Sequence, residues 1–553
     1  MTLCSLPLLL SYISHSYIRF QFLGHGVKVD LFSGSLAILA IFVVSRIIKL
    51  VNGLRAVSYM PGMRIPFQPL APPAILLPTT WWNPSVNFVW LWRYHFYKRF
   101  QSENVSFVPF VFGRPVICTS NLDVARQVTS GGPKRSFYKP PTASAALLLW
   151  GMNIVAADGE MWRKHRRIIG PAFNNRLYEM VWSETLDTYR EMISAEGWTT
   201  KDMMEVPVVQ KLTSKLALLL IAKCGFGLSF NWSAPPKAPN GSMTIQEAIR
   251  IVCDTTLLAI IAPKWLLSLP FPKFRKMREA YDQMMRFMQA QVRDRKTEIL
   301  GQGGKENYNR DFFTMLVEAN EQVSGKFQLD DQELIGNTYI MLFAGHETTA
   351  HSLAATIGFL GFHEDIQEEV LEQIHSVVGH DRDPIFEDYA KLDKVLAAFY
   401  EALRMFPAGF VMIREAQEDT VLQIPNPPGV EGSTPMPIWK GVQIVIDMVG
   451  VQYNPRYCDE PEKYKPSRWY GMTNESEAFS AFSLGPRACL GRKFATTEAV
   501  AFLTMLLRDW KIQPMLRKGE TKEEWRNRVM DAHTVITLGV KDVPVRFTKR
   551  TRN

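Results

Sequence analysis

Cysteine is scarce: six residues (Cys4, Cys118, Cys224, Cys253, Cys458 and Cys489) are scattered through 553, with no CxxC pair. That spacing excludes a disulfide-stapled secreted fold and a zinc site of paired thiols, and points to free thiols in a reducing compartment. Excess charge is also small. The 63 Lys and Arg exceed the 54 Asp and Glu by nine, and no basic block interleaves with aromatics, so no nucleic acid is expected as a partner. Internal repeats and low-complexity tracts are missing, and no second composition regime marks a fused electron-transfer domain. With 47% hydrophobic and 21% charged residues, the chain is neither disordered nor a many-span membrane protein. Its length suits several domains or one large catalytic unit with appendages.

Long apolar runs are few. Residues 31–51, LFSGSLAILAIFVVSRIIKLV, come close to the roughly 20 apolar residues that span a bilayer. Nothing polar lines one face, as a buried core helix would allow. Arg46 and Lys49 are placed to snorkel, and Arg55 and Arg64 follow in the positive-inside sense, which puts the remainder in the cytosol. Residues 3–13 are too short to span, contain Pro7 and lack a charged start, so an interfacial segment fits better than a cleaved signal peptide. Six prolines between Pro61 and Pro78 predict an extended, non-helical linker. The expected division is a lumenal or interfacial segment at 1–30, an anchor at 31–51, a linker at 52–84 and a catalytic body at 85–553. Sequons at Asn104, Asn231, Asn240 and Asn474 would accept glycans only on the lumenal side.

Residues 105–119 alternate around Gly113-Arg114-Pro115, a hairpin signal. Helical periodicity covers 210–224, 244–258, 275–300, 331–362, 392–405 and 491–507. The expected fold class is mainly α with small β-sheets. Residues 257–272, LLAIIAPKWLLSLPFP, are too short to cross a bilayer and read as core or as an interfacial patch.

Residues 482–491 read FSLGPRACLG, matching F-x-x-G-x-R-x-C-x-G. Five fixed identities in one window arise by chance on the order of once in ten thousand chains of this size. A helical pattern follows, so Cys489 stands before a helix N-terminus, where free N–H groups and the dipole favour a thiolate, which is a metal ligand. Gly485 and Gly491 would let the loop turn beneath a flat cofactor, Phe482 would shield the sulfur, and Arg487 would pair with an acid group on the cofactor rim. A lone cysteine is by default a buried inert one, and the flanking pattern outweighs that default.

This segment resembles the haem-binding signature of the cytochrome P-450 monooxygenases. Further features stand in the family's order. Residues 343–349, FAGHETT, are similar to its oxygen-activation motif. There Ala344-Gly345 leave room over the metal, Thr348 can turn its hydroxyl from the i−4 carbonyl to bound dioxygen, and Glu347 relays protons. Glu401 and Arg404 form E-x-x-R ahead of Phe406-Pro407. The same pattern at Glu160/Arg163, Glu247/Arg250 and Glu523/Arg526 lies outside the family's order. Arg468, in Pro466-Ser467-Arg468-Trp469, resembles the arginine that completes a structural Glu-Arg-Arg lock. Trp162 and Arg166 in GEMWRKHRR match the W-x-x-x-R element that holds a haem propionate, and Arg414 is similar in position to a second propionate-binding arginine. Arg163, Lys164 and Arg167 read as a solvated basic face, one that would suit an acidic reductase. Gln452 stands where many members carry histidine.

The resemblance spans roughly 61–545 and is closest in flavour to fungal microsomal members. It implies the P-450 fold and haem b (iron protoporphyrin IX) with Cys489 as axial ligand. It also implies a single-pass place in the endoplasmic reticulum membrane with the catalytic domain cytosolic. Two electrons would come from NADPH through a separate cytochrome reductase, one oxygen atom entering an apolar substrate and the other leaving as water. A terpenoid or sterol of secondary metabolism is the expected substrate, with residues 137–157 roofing the pocket, and fatty-acid or xenobiotic hydroxylation is the competing reading. Readings of another class are a reductase-independent haem isomerase, against which the Glu347-Thr348 pair argues, and a haem carrier without turnover.

Overall fold

The computed structural model describes residues 17–22, 25–130, 136–233, 237, 241–301, 311–323, 325–427, 429–472, 479–534 and 536–551. Cys4, the apolar stretch at 3–13, Asn240 and Asn474 lie outside them. Ten helices carry the argument: α1 (Leu31–Ala56), α2 (Gly159–Ile169), α3 (Asn175–Ala195), α4 (Gln210–Phe226), α5 (Ile245–Ile261), α6 (Pro272–Gly301), α7 (Asp331–Phe362), α8 (Glu364–Val378), α9 (Asp393–Met405) and α10 (Arg492–Asp509).

Helix α7 is the axis of the body. Its 32 residues span about 48 Å at 1.5 Å per residue. A capping box between Asp330 and Glu333 starts it, satisfying two of the free amides at its end. Apolar residues surround it on nearly every face because α4, α6, α9 and α10 all pack against it, as expected of a helix hydrophobic all round.

A six-stranded sheet flanks the helices. In spatial order its strands are Gly62–Phe67, Asn104–Phe112, Val116–Thr119, Gln443–Asp447, Val411–Ala416 and Phe137–Tyr138. The expected hairpin is present, with Asn104 opposite Thr119 and Phe107 opposite Val116. Asn104 is thus only 3% exposed within a paired strand, which removes it as a glycan acceptor.

The proline-rich stretch differs from an extended linker. Helix α1 runs on to Ala56, and Gly62–Phe67 pairs in parallel with Asn104–Phe112. Pro66, which has no N–H to donate, sits where the register shifts between Ile65 and Phe67, the kind of irregularity that tolerates proline in a sheet. Pro72 and Pro73 open a short helix, Pro72–Ile75, instead of preventing one, since the first helical positions need no donor.

Among the described residues one helix is long and apolar enough to cross a membrane, Phe32–Ala56. Two of its basic residues are tied to the body: Arg46 Nη1 and Lys49 Nζ both donate to the Val111 carbonyl, at 2.8 and 3.0 Å. The apolar stretch at 257–272 is surface and not core at Trp265 and Phe271, 68% and 57% exposed.

Candidate functional site

The loop before α10 closes on itself, with the Cys489 N–H donating to the Phe482 carbonyl at 2.8 Å. Gly485 has φ +67°, and a Cβ there would lie 2.9 Å from the Thr129 carbonyl, so this turn and close approach require glycine. Gly491 has φ −83° and faces open space, so its expected turning role is not demanded by the backbone. The Phe482 ring stands edge-on to Tyr400 and Phe479, with the Arg492 guanidinium 5.5 Å above it.

Cys489 is exposed, yet burial pushes its thiol up. Both hold where a sulfur faces a recess walled by protein instead of the outer surface. The Gly491 N–H, Arg166 and Arg492 pull the other way and do not prevail. A bound metal cation would add to that pull and deprotonate a coordinating thiol outright. Ala344 is exposed in the middle of α7, between buried Leu342-Phe343 and buried Thr349-Ala350, so space opens beside its methyl too. Trp162 and Leu490 pack against the cluster that holds Phe343 and Phe494, which gathers α2, the cysteine loop and the middle of α7 in one region.

Cations crowd one side. Arg487 donates to the Ala157 carbonyl at 2.9 Å, pairs with Asp158, and stands 4.8 Å over the Trp162 ring. Arg166, one turn after Trp162, is near enough to Cys489 to act on it electrostatically. Arg414 is buried in its strand, with Nη1 on the Ile413 carbonyl at 2.9 Å. Tyr138 pairs with Glu415, and Lys139, the next residue, donates from Nζ to the Val155 carbonyl at 2.5 Å. Burial, Arg487 and Arg414 together lower Lys139 to about 8, with Asp158 opposing them. Arg487 and Arg414 repel a charged Lys139, and an anionic ligand beside them would relieve that repulsion.

An exposed thiol, an indole and a group of neighbouring cations fit an iron porphyrin with two carboxylate arms. Cys489 could ligate the iron, while Trp162, Arg166, Arg414, Arg487 and Lys139 could face the arms. Lys139 escapes sequence reasoning because no motif marks it.

On α7 the Thr348 hydroxyl donates to the Ala344 carbonyl at 2.7 Å, keeping the i−4 bond from which it was expected to turn; its lone pairs stay open to a donor. Glu347 Oε1 accepts from the Thr537 hydroxyl at 2.8 Å. Burial pushes this carboxyl up, against the opposing pull of Thr537. No hydrogen bond joins Glu347 to Thr348 among the described residues.

Glu401, Arg404 and Arg468 meet away from the recess. Arg404 grips both Glu401 oxygens at 2.9 Å, Arg468 Nε reaches Oε1 at 3.1 Å, and Trp469 Nε1 reaches Oε2 at 2.8 Å. Arg404 also donates to the carbonyls of Gln452 and Pro461, so the cluster ties α9 to the segment leading to the cysteine loop. Lys164 departs from the solvated face expected of it. It pairs with Glu333 on α7 at 2.7 Å and is 19% exposed.

The family model described as Cytochrome P450 matches residues 81–536. A curated relative, "Cytochrome P450 monooxygenase 124" of Postia placenta, is 37% identical over 78% of this chain and 82% of its own length. The "Cyclooctat-9-en-7-ol 5-monooxygenase" of Streptomyces melanosporofaciens is 26% identical over 69% of this chain and 77% of its own. Among solved structures, a "cytochrome P450DA heme domain" superimposes with TM-score 0.67 at 20% identity, covering 89% of this chain and 99% of that one. Cys489, Trp162 and the neighbouring cations all lie inside the stretch that the family model matches, and this chain belongs to the cytochrome P450 family.

Proposed function

We propose that this monooxygenase inserts one oxygen atom of O2 into an apolar terpenoid or sterol of secondary metabolism, drawing electrons from NADPH through a separate reductase. The observation that carries this reading is the exposed Cys489 thiol, with Arg166 close enough to act on it and Arg487 stacked over Trp162 nearby. When bound, the haem supplies the activation of dioxygen at its iron. Cys489 holds the iron, with Phe482 packed beside the loop. Trp162, Arg166, Arg414 and Arg487 hold the carboxylate arms, with Lys139 adding charge to the same rim. Thr348 presents lone pairs over the recess, and Glu347, a carboxyl raised by burial, exchanges protons with the reacting group. Glu401, Arg404 and Arg468 keep the cysteine loop in place.

Exposed Trp265 and Phe271 support entry of substrate from a lipid phase. The relative whose name gives an unsaturated alcohol as substrate supports a largely hydrocarbon substrate. An anchor at 31–51 would hold the chain in the endoplasmic reticulum membrane with the catalytic body at 85–553 in the cytosol, a reading that the apolar helix Phe32–Ala56 supports.

The test is the reduced carbon-monoxide difference spectrum of membranes carrying the chain, beside Cys489→Ala, followed by reductase-dependent oxidation of terpenoids, sterols and fatty acids. A red-shifted Soret band lost in the variant, and NADPH-dependent product from a terpenoid or sterol, are expected. Haem bound without that band overturns the thiolate reading, and turnover of fatty acids alone overturns the substrate class.

A further inference from the structure

Thr537 belongs to none of the sequence motifs, yet its hydroxyl makes the hydrogen bond that the Glu347 carboxylate receives, across 190 residues of sequence. It lies in the turn of the hairpin formed by Ala532–Thr534 and Leu538–Val540, which packs on α7. The placement is tight. A Cβ on Gly539 would lie 2.6 Å from the His351 ring, one helical turn beyond Glu347. The Leu538 N–H is tied to the Ala408 carbonyl at 3.1 Å, and the Lys541 N–H to the Asp531 carbonyl at 2.8 Å. From α5, Cys253 shares the electrostatic surroundings of the same carboxylate.

We infer that Thr537 is a positioning residue for the proton relay, holding the Glu347 carboxyl in one place through its protonation cycle. This rests on the proposed relay role of Glu347. The chemistry suits the task, because a hydroxyl donates to a carboxylate and accepts from a carboxylic acid. One rotation about its C–O bond lets Thr537 keep its partner in either state. A carboxyl without it is free to leave the geometry that proton transfer needs. Valine is nearly isosteric and supplies neither function, whereas serine supplies both.

The experiment uses the full chain with haem, reductase and NADPH, each variant first shown to give the thiolate carbon-monoxide band. NADPH consumption and peroxide release are followed in H2O and D2O without added substrate. Thr537→Val is expected to slow proton-dependent NADPH consumption about tenfold, the factor expected from one hydrogen bond to a charged group. Thr537→Ser restores it, and Thr537→Val adds nothing in a Glu347→Gln background. Independently of turnover, the infrared C=O stretch lost in Glu347→Gln rises in Thr537→Val and returns in Thr537→Ser. If Glu347→Gln slows consumption while Thr537→Val does not, or if Thr537→Val acts equally in both backgrounds, the inference falls and the relay stands. If Glu347→Gln changes nothing, the relay reading fails and takes the inference with it.

Discussion

Asn337 Oδ1 accepts the backbone N–H of Ile154 at 2.8 Å in buried surroundings, and this bond pins the segment before α2 to α7. The same amide reaches His165 Nδ1 at 2.8 Å, so α2 joins the same point. Beside it, a Cβ on Gly336 would lie 2.4 Å from the Met152 carbonyl. Asn337→Leu strands a buried donor and a buried imidazole, at a cost of about 2 kcal/mol. The thermal midpoint for loss of the carbon-monoxide band should fall accordingly, and Gly336→Val should lower it further by forcing two backbones apart.

Glu401 and Arg404 are 0% and 1% exposed, and the Trp469 indole and Arg468 share the same carboxylate. Removing one member of such a buried set leaves uncompensated charge, costing about 3–5 kcal/mol. Glu401→Leu should yield little haem-containing protein, read as the ratio of carbon-monoxide band to total chain. Arg404→Lys should not rescue folding, because an ammonium cannot grip both oxygens while also reaching the Gln452 carbonyl.

Lys139 is lowered to about 8 by burial and by Arg487 and Arg414. Two carboxylate arms beside it would raise it again, so haem binding above about pH 8 takes up a proton. Linkage fixes the sign: haem affinity weakens as pH rises from about 8 toward the ordinary lysine range, and is indifferent to Lys139 ionisation below it. Transfer of haem to an apoprotein acceptor should therefore quicken with pH in the native chain. Lys139→Met should be faster at neutral pH and lack that dependence; an unchanged pH slope would place the arms elsewhere.

The difference between what was legible and what was not follows from sequence separation. Cys489, its glycine turn and the start of α10 fall in one short window, and α7 announces itself by periodicity, so chain-local patterns suffice. Arg404 finds Glu401 three residues away. Lys164 was misread as solvated because its partner, Glu333, is 169 residues distant. Thr537 and Lys139 fail for the same reason: each gains its meaning from a tertiary neighbour, and a lone threonine or lysine carries no local signature. The prolines at 61–78 predict an extended, non-helical path, which the strand Gly62–Phe67 follows and the short helix Pro72–Ile75 does not, because a first helical turn needs no donor.

Helix α1 is clamped to the body, which would fix the orientation of the body at a membrane that α1 entered. Arg46 and Lys49 share the Val111 carbonyl, an acceptor whose two lone pairs suit two donors. One turn later, a Cβ on Gly53 would lie 2.6 Å from Val108 Cγ1 and 3.4 Å from Pro115, so the helix reaches the sheet only because that position is glycine. Gly53→Leu should lever α1 away while leaving the recess intact. In membrane vesicles it should speed proteolytic cleavage in the 57–61 connection several-fold, and the carbon-monoxide band should persist. If Gly53→Leu and the native chain are cleaved at equal rates, the clamp does not govern how the body is held. Arg46→Met should act in the same direction but more weakly, because Lys49 still holds the shared carbonyl.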